Sequence, residues 1–177
     1  MGYWKPPFRL SWGMNQKPKA FLIHGFLGAG KTTFSKHLES EEKALRFTHD
    51  EWMSQLYGDD PPEEHFPEYA RRVYAVMEGT WTRCLALGTS VILDFGFWSR
   101  ADRERTRALV ATHGGDAVLY RLNCAEDVAW ERINARNRAL GGSLYIAPNT
   151  FGILRARFEP LEDEEARIEI GSCDSFA

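Results

Sequence analysis

Eight consecutive residues, Gly25-Phe-Leu-Gly-Ala-Gly-Lys-Thr32, set three glycines, a lysine and a hydroxyl at the spacing G-x-x-x-x-G-K-[ST]. That run suits the cradling of a phosphate chain. Gly25, Gly28 and Gly30 let the backbone curl, so that N–H groups of the loop, through Phe26, Leu27 and Ala29, turn inward toward anionic oxygens. Lys31 places a charge where the β- and γ-phosphates of a triphosphate meet, the Thr32 hydroxyl can ligate Mg²⁺, and Thr33 follows in the first turn. A helix opening here adds the positive end of its dipole. The expected ligand is a nucleoside triphosphate with magnesium.

A cradle fixes the nucleotide and leaves the reaction open. Three further segments could complete a site. Thr48-His49-Asp50-Glu51-Trp52 follows a short apolar run, and a carboxylate there, Asp50, can take the proton of an acceptor hydroxyl as the γ-phosphate moves. Asp50 could equally be a helix cap, or serve as both. Val91-Ile-Leu-Asp94 ends on a carboxylate that could hold Mg²⁺ or orient the acceptor, with Phe95-Gly-Phe-Trp98 next as an aromatic wall or as core. Arg132, Arg136 and Arg138 lie near the end of a helix running into Gly141-Gly142. They could form an arginine-bearing lid that closes on the triphosphate, or a solvated helix end that complements the dipole.

These groups need a frame that brings them to one edge. Ala20–His24, Ala44–Thr48, Ser90–Asp94 and Ala117–Leu122 read as strands, and Ile168–Ile170 as a weak fifth. Helices are expected from about Gly30 to Glu39, with Phe34, His37 and Leu38 inward, and from Asp50 to Tyr57. A long one follows the steps Phe66, Tyr69, Val73, Met77, Thr80, Cys84 and Leu87. Others run from a Ser99 cap to about His113, from Ala125 to Leu140, and from a Thr150 cap to Glu159. Strands alternating with helices imply an α/β fold, a mostly parallel sheet with helices on both faces. In such a sheet every carboxyl end faces one rim, where ligands bind.

With 177 residues, 44% of them hydrophobic, the chain can bury one core. A net charge of -3 gives no basic excess for a duplex-DNA binder, and no apolar run reaches the ~18 residues of a membrane span. Cys84, Cys124 and Cys173 are odd in number and lack a C-x-x-C pair, which argues against a disulfide framework or zinc site and fits a reducing cytoplasm. Residues 1–19 lack a signal-peptide core and read as a poorly ordered arm, with Met14 as an alternative start. The remainder, 20–177, reads as one domain with a lid at about 136–150. Arg100, Arg103 and Arg107 lie among Asp102 and Glu104 and read as a solvated, salt-bridged face, and Glu159–Glu165 as a solvated acidic tail. His24 and His49 receive no role, and the oligomeric state stays open.

Across residues 20 to 160 the chain resembles the small P-loop kinases that include zeta-toxin-like kinases, chloramphenicol phosphotransferase and the kinase domain of phage-type polynucleotide kinase. The features are the Gly25–Thr33 loop, His49-Asp-Glu-Trp52, the strand ending at Asp94, and Trp130-x-x-x-x-x-Arg136-Asn137. It is most similar to bacterial chains described as predicted kinases or AAA-type ATP-binding proteins. The resemblance implies a P-loop NTPase three-layer sandwich in which Lys31 and Thr32 hold phosphates and Mg²⁺. It also implies Asp50 as general base, Asp94 as a metal- or acceptor-side carboxylate, and Arg136 as a lid arginine. Polynucleotide kinases tend to carry an arginine three residues after the base, where this chain has Met53. The function expected is transfer of the γ-phosphate of ATP to a hydroxyl of a small molecule. A polynucleotide 5′-hydroxyl kinase, a nucleotide-sugar kinase and an ATPase module without an acceptor are the alternatives.

Overall fold

The computed structural model describes residues 16–139 and 144–171. The apolar runs become β1 (Lys19–His24), β2 (Leu45–Thr48), β3 (Val91–Gly96), β4 (Asp116–Leu122) and β5 (Ile168–Ile170). The helices are α1 (Lys31–Glu42), α2 (His49–Tyr57), α3 (Phe66–Ala86), α4 (Arg100–Thr112), α5 (Glu126–Arg138) and α6 (Pro148–Ala156). The five strands form one sheet in the order β2-β3-β1-β4-β5, and every pair is parallel. This is the α/β fold expected.

β1 is continuous in hydrophobicity because helices cover both of its faces. Phe21 and Ile23 pack with Phe34 and Leu38 of α1. Ala20 and Leu22 point the other way, into a cluster with Val73, Met77, Trp81 and Leu85 of α3 and Val110 of α4. The helices after β1 and β3 therefore lie on opposite faces, although the two strands are neighbours. That arrangement opens a crevice at their carboxyl ends.

Several expectations are corrected. In α1 the inner face is Phe34, Ser35 and Leu38, while His37 is exposed and pairs with Glu41 at 3.2 Å. The buried stripe of α3 is Val73, Met77, Trp81, Thr82 and Leu85; Thr80 and Leu87 lie outside it, because steps of four carry the larger Trp81 and Leu85 inward. α6 opens two residues before Thr150, with Pro148 at its start, where the missing proline N–H leaves nothing unpaired. The stretch Glu159–Glu165 is no solvated tail. Glu165 is buried against Arg103, which is itself fully buried, and the Glu162 carboxylate takes a hydrogen bond from Arg100. Arg103 thus leaves the solvated face assigned to it.

Lys19 belongs to β1, and the Pro18 carbonyl accepts from Asp116 N at 2.9 Å, so the fold begins before Ala20. Residues 1–15, Cys173 and the Gly141-Gly142 pair lie outside the described residues. Among the described residues no helix is long and apolar enough to cross a membrane.

Candidate active site

The loop between β1 and α1 has the shape its glycines foretold. Gly28 and Gly30 sit at φ 75° and 87°, the left-handed region, where side chains other than glycine's are strained. Gly28 is fixed twice over, since a Cβ there would lie 2.5 Å from the Ala129 carbonyl oxygen and 2.8 Å from the Ala129 Cα. Lys31 Nζ donates to the Phe26 carbonyl at 2.9 Å, folding its ammonium back over the loop. Arg132 of α5 donates to the Gly28 carbonyl at 3.3 Å and so braces the loop from behind. The Phe26 ring is caged by Trp98, Phe151 and Phe158, with centroids 5.6, 5.1 and 5.4 Å away.

Thr48 of β2 and Asp94 of β3 are register partners, which brings Asp50, at the start of α2, and Asp94 to the same rim as the loop. Asp94 is 6% exposed, has the Thr32 hydroxyl as a neighbour that favours its charged form, and keeps one carboxylate oxygen, Oδ2, with no hydrogen-bond partner. Burial raises its pKa; Lys31 opposes that and the nearby Asp50 charge reinforces it. Asp50 differs. Its side chain is 53% exposed, with His49 Nδ1 3.6 Å from Oδ1. Desolvation would raise its pKa, but the His49 imidazole beside it, then Lys31 and Arg136, outweigh it and hold the carboxyl below the usual range. Lys31 thus acts on both carboxylates, Arg136 on Asp50 and Thr32 on Asp94. Arg138 does not join them and instead lines an open hollow of about 770 Å³ with Glu131, Asn134 and Tyr145.

A family model described as "AAA domain" matches residues 21–161. The chain belongs to the AAA domain family. Its fold is that of the small P-loop kinases. A provisionally named kinase from Chloroflexus aurantiacus is similar at TM-score 0.71 and 22% identity, with 88% of each chain covered. The APS kinase CysC of Mycobacterium tuberculosis, solved in complex with AMPPNP and APS, is similar at TM-score 0.58 and 17% identity over 92% of this chain and 95% of that one. A chain of the Pnkp1/Rnl/Hen1 RNA repair complex is similar at TM-score 0.67 and 20% identity, over 82% of this chain and 45% of that one. Comparison with curated proteins gave no match.

Within this AAA domain the residues present fit a divalent cation. The orphaned Asp94 oxygen beside the Thr32 hydroxyl supplies the hard oxygen ligands magnesium prefers, and a buried carboxylate calls for positive charge.

Three supporting features were not read from the sequence. The Asn137 side chain donates to the Ile146 carbonyl at 2.8 Å and accepts from Ile146 N at 3.2 Å, clipping the chain after α5 to its end. Beyond that clip Tyr145 N donates to the Asp59 carbonyl at 3.0 Å, tying this segment to the turn after α2. The His49 ring stacks on Tyr74 at 4.1 Å, and Tyr74 meets Phe95 edge-on at 5.5 Å. Finally, the loop after β3 is locked to the phosphate loop: Trp98 Nε1 donates to the Gly25 carbonyl at 3.1 Å and Gly25 N to the Gly96 carbonyl at 3.3 Å. Only the Asn137 clip had a signal, the Arg-Asn pair at the lid entry. The other two depend on contacts between distant segments.

Proposed function

We propose that this protein is an ATP-dependent phosphotransferase that moves the γ-phosphate of ATP to a hydroxyl of a small-molecule acceptor. The observation that carries the reading is the solvent-reachable Asp50 carboxylate, on the rim of the phosphate loop and held ionised chiefly by His49, with Lys31 and Arg136 adding to it. An ATP-binding module that transfers nothing has no use for an ionised base at that point.

In this reading the loop from Gly25 to Thr33 holds the triphosphate, with the backbone of Phe26, Leu27, Gly28, Ala29 and Gly30 supplying donors. The Lys31 ammonium exchanges the Phe26 carbonyl for phosphate oxygens. Thr32 and Asp94 would hold Mg²⁺, which when bound supplies charge neutralisation at the β- and γ-phosphates. Asp50 accepts the proton of the acceptor hydroxyl as its oxygen bonds to the γ-phosphorus and the bridging bond to ADP breaks. Arg136 faces Asp50 and stabilises charge on the moving phosphoryl group. Arg132 keeps the loop in shape, while Arg138 stands apart in the hollow that it lines.

A polynucleotide acceptor is the second reading. Similarity to a chain of an RNA repair complex favours it, whereas the fully buried Met53, standing where such kinases tend to carry an arginine, disfavours it.

The test is transfer from γ-labelled ATP across antibiotics, nucleosides, sugars and oligonucleotides. Lys31→Ala should abolish transfer. Asp50→Ala should bind ATP as the parent does yet lose transfer by ~10²-fold or more. Undiminished transfer by the Asp50 variant would remove the base from the reading, and slow ATP turnover unmoved by every acceptor would favour the module without one.

A further inference from the structure

We propose that the open face of Tyr74, backed by His49 and Phe95 beside Asp50, is the acceptor subsite, and that it takes an uncharged or cationic hydroxylated ring in preference to a phosphorylated or carboxylated one. The proposal rests on the phosphotransferase reading and gives its acceptor a chemical class.

Tyr74 is 41% exposed although it lies on α3, whose inner stripe runs elsewhere. Its ring is nevertheless fixed, stacked on His49 at an interplanar angle of 19° and met by Phe95 at 84°. His49 beneath it has a side chain only 9% exposed, and its Nε2 has no partner. A rigid aromatic face costs little further ordering when a ligand lands on it, and it suits the C–H face of a sugar or the plane of a base. The position is right for an acceptor, because the His49 ring that stacks on Tyr74 at 4.1 Å also sets its Nδ1 3.6 Å from the Asp50 carboxylate. A ring lying there presents its hydroxyls to the carboxylate assigned as base.

The charge around the face selects the class. Asp50, Asp94 and Asp102 supply negative charge. Residues 49–57 and 91–99, which border the face, contain no lysine or arginine. The cations on neighbouring elements are already held: Arg71 and Arg72 by Glu68 at 2.9 and 2.6 Å, Arg105 by Glu78 at 2.6 Å, Arg100 by Glu104 at 2.8 Å and Arg46 by Glu51 at 2.7 Å. Lys31 and Arg136 also act on Asp50, but bound triphosphate takes up both of their charges. With nucleotide bound, an anionic acceptor would meet these carboxylates and the triphosphate with only the His49 ring to answer them, whereas hydroxyls find acceptors and an ammonium finds a counter-charge.

The experiment uses the full chain saturated with AMPPNP and magnesium, and ligand-observed NMR titration with a hexose, a ribonucleoside and an aminocyclitol, each in neutral or cationic form and as its phosphate. The neutral or cationic form of at least one ring should bind on the order of tenfold or more tighter than its phosphate. Tyr74→Ala, at an exposed position that leaves the core intact, should weaken that binding by a similar factor without moving AMPPNP affinity. Tyr74→Lys should narrow or reverse the preference. Equal or tighter binding of the phosphates by the parent, unchanged binding in Tyr74→Ala, or no binding by any ring would overturn the subsite. Labelled-phosphate transfer is scored separately. Transfer to a phosphorylated acceptor would sink the subsite and keep the kinase; ring binding at Tyr74 with no transfer to any acceptor would do the reverse.

Discussion

Asp50 and Asp94 share a rim but not an environment. Asp94 is enclosed, and burial pushes its carboxyl up, with the neighbouring Asp50 charge adding to the effect. Asp50 is half exposed, and His49, Lys31 and Arg136 overcome its partial desolvation to hold it below the usual range. In the proposed kinase the base must be ionised to accept a proton, so a lowered pKa would keep Asp50 competent well into acid. Its ordinary value would be about 3.9. The single-turnover transfer rate of the proposed kinase should therefore show no acid limb from Asp50 between neutrality and about pH 5. Asp50→Asn should lower the rate across that range without giving it a new slope. An acid limb near pH 6 that vanishes in Asp50→Asn would show that the carboxyl is raised instead. The rim position of both aspartates was legible, because Asp94 closes an apolar run and Asp50 follows one by two residues in a parallel sheet. His49 was not: its contact with Tyr74 needs α3 laid across α2, and neither segment carries that information alone.

At the scale of elements, the tie between α4 and the chain before β5 carries most of what the sequence concealed. Arg103 donates two hydrogen bonds to Glu165, at 2.8 and 2.7 Å, and a third to the Phe97 carbonyl at 3.1 Å. Both side chains are buried, and Glu165 is pushed down to about 2, chiefly by the Arg103 hydrogen bonds. Removing one partner leaves the other charged and buried. Arg103→Met should cost about 3–5 kcal/mol of unfolding free energy, while Arg103→Met with Glu165→Leu should recover much of that loss. Urea titration of the two single variants and the double variant measures the coupling, and additive losses would refute it. Glu165 ionises more readily in the folded chain, so its contribution is whole above an unfolded pKa of about 4.3 and fades as pH falls toward 2. Arg100, Asp102, Arg103 and Glu104 alternate in sign as an exposed helix face does, so the pattern pointed outward. What buries Arg103 is a glutamate 62 residues away. The Ser99 cap, by contrast, is local and was readable: its hydroxyl accepts from Asp102 N at 3.0 Å.

At the scale of the whole molecule these ties meet under the phosphate loop, at a residue given no role from the sequence. His24 ends β1 and directly precedes Gly25. Its Nδ1 lies 3.0 Å from the Phe97 carbonyl, which can only accept, so Nδ1 carries the proton and donates. The same carbonyl takes the Arg103 hydrogen bond, and Phe97 itself sits at φ 49°, a conformation this convergence helps to hold. The His24 ring also stacks on Phe158, beyond α6, at 5.0 Å. Burial lowers its pKa from 6.5 to about 4; the Phe97 hydrogen bond opposes this, and Arg103 and Arg121 add to it. The folded chain thus keeps His24 neutral, while the unfolded chain takes up a proton below pH 6.5. Stability is whole above that value and drains as pH falls toward 4, by on the order of 3 kcal/mol at about 1.36 kcal/mol per pH unit. Because the Glu165 contribution begins to fade only near pH 4, most of its loss follows that of His24. The melting temperature should fall steadily between pH 6.5 and 4.5, and His24→Gln, which cannot take up that proton, should start lower and stay flat. A level curve for the parent protein across that interval would show that His24 is protonated in the fold, and with it the hold of the molecule on its phosphate loop would have to be rebuilt around a charged histidine.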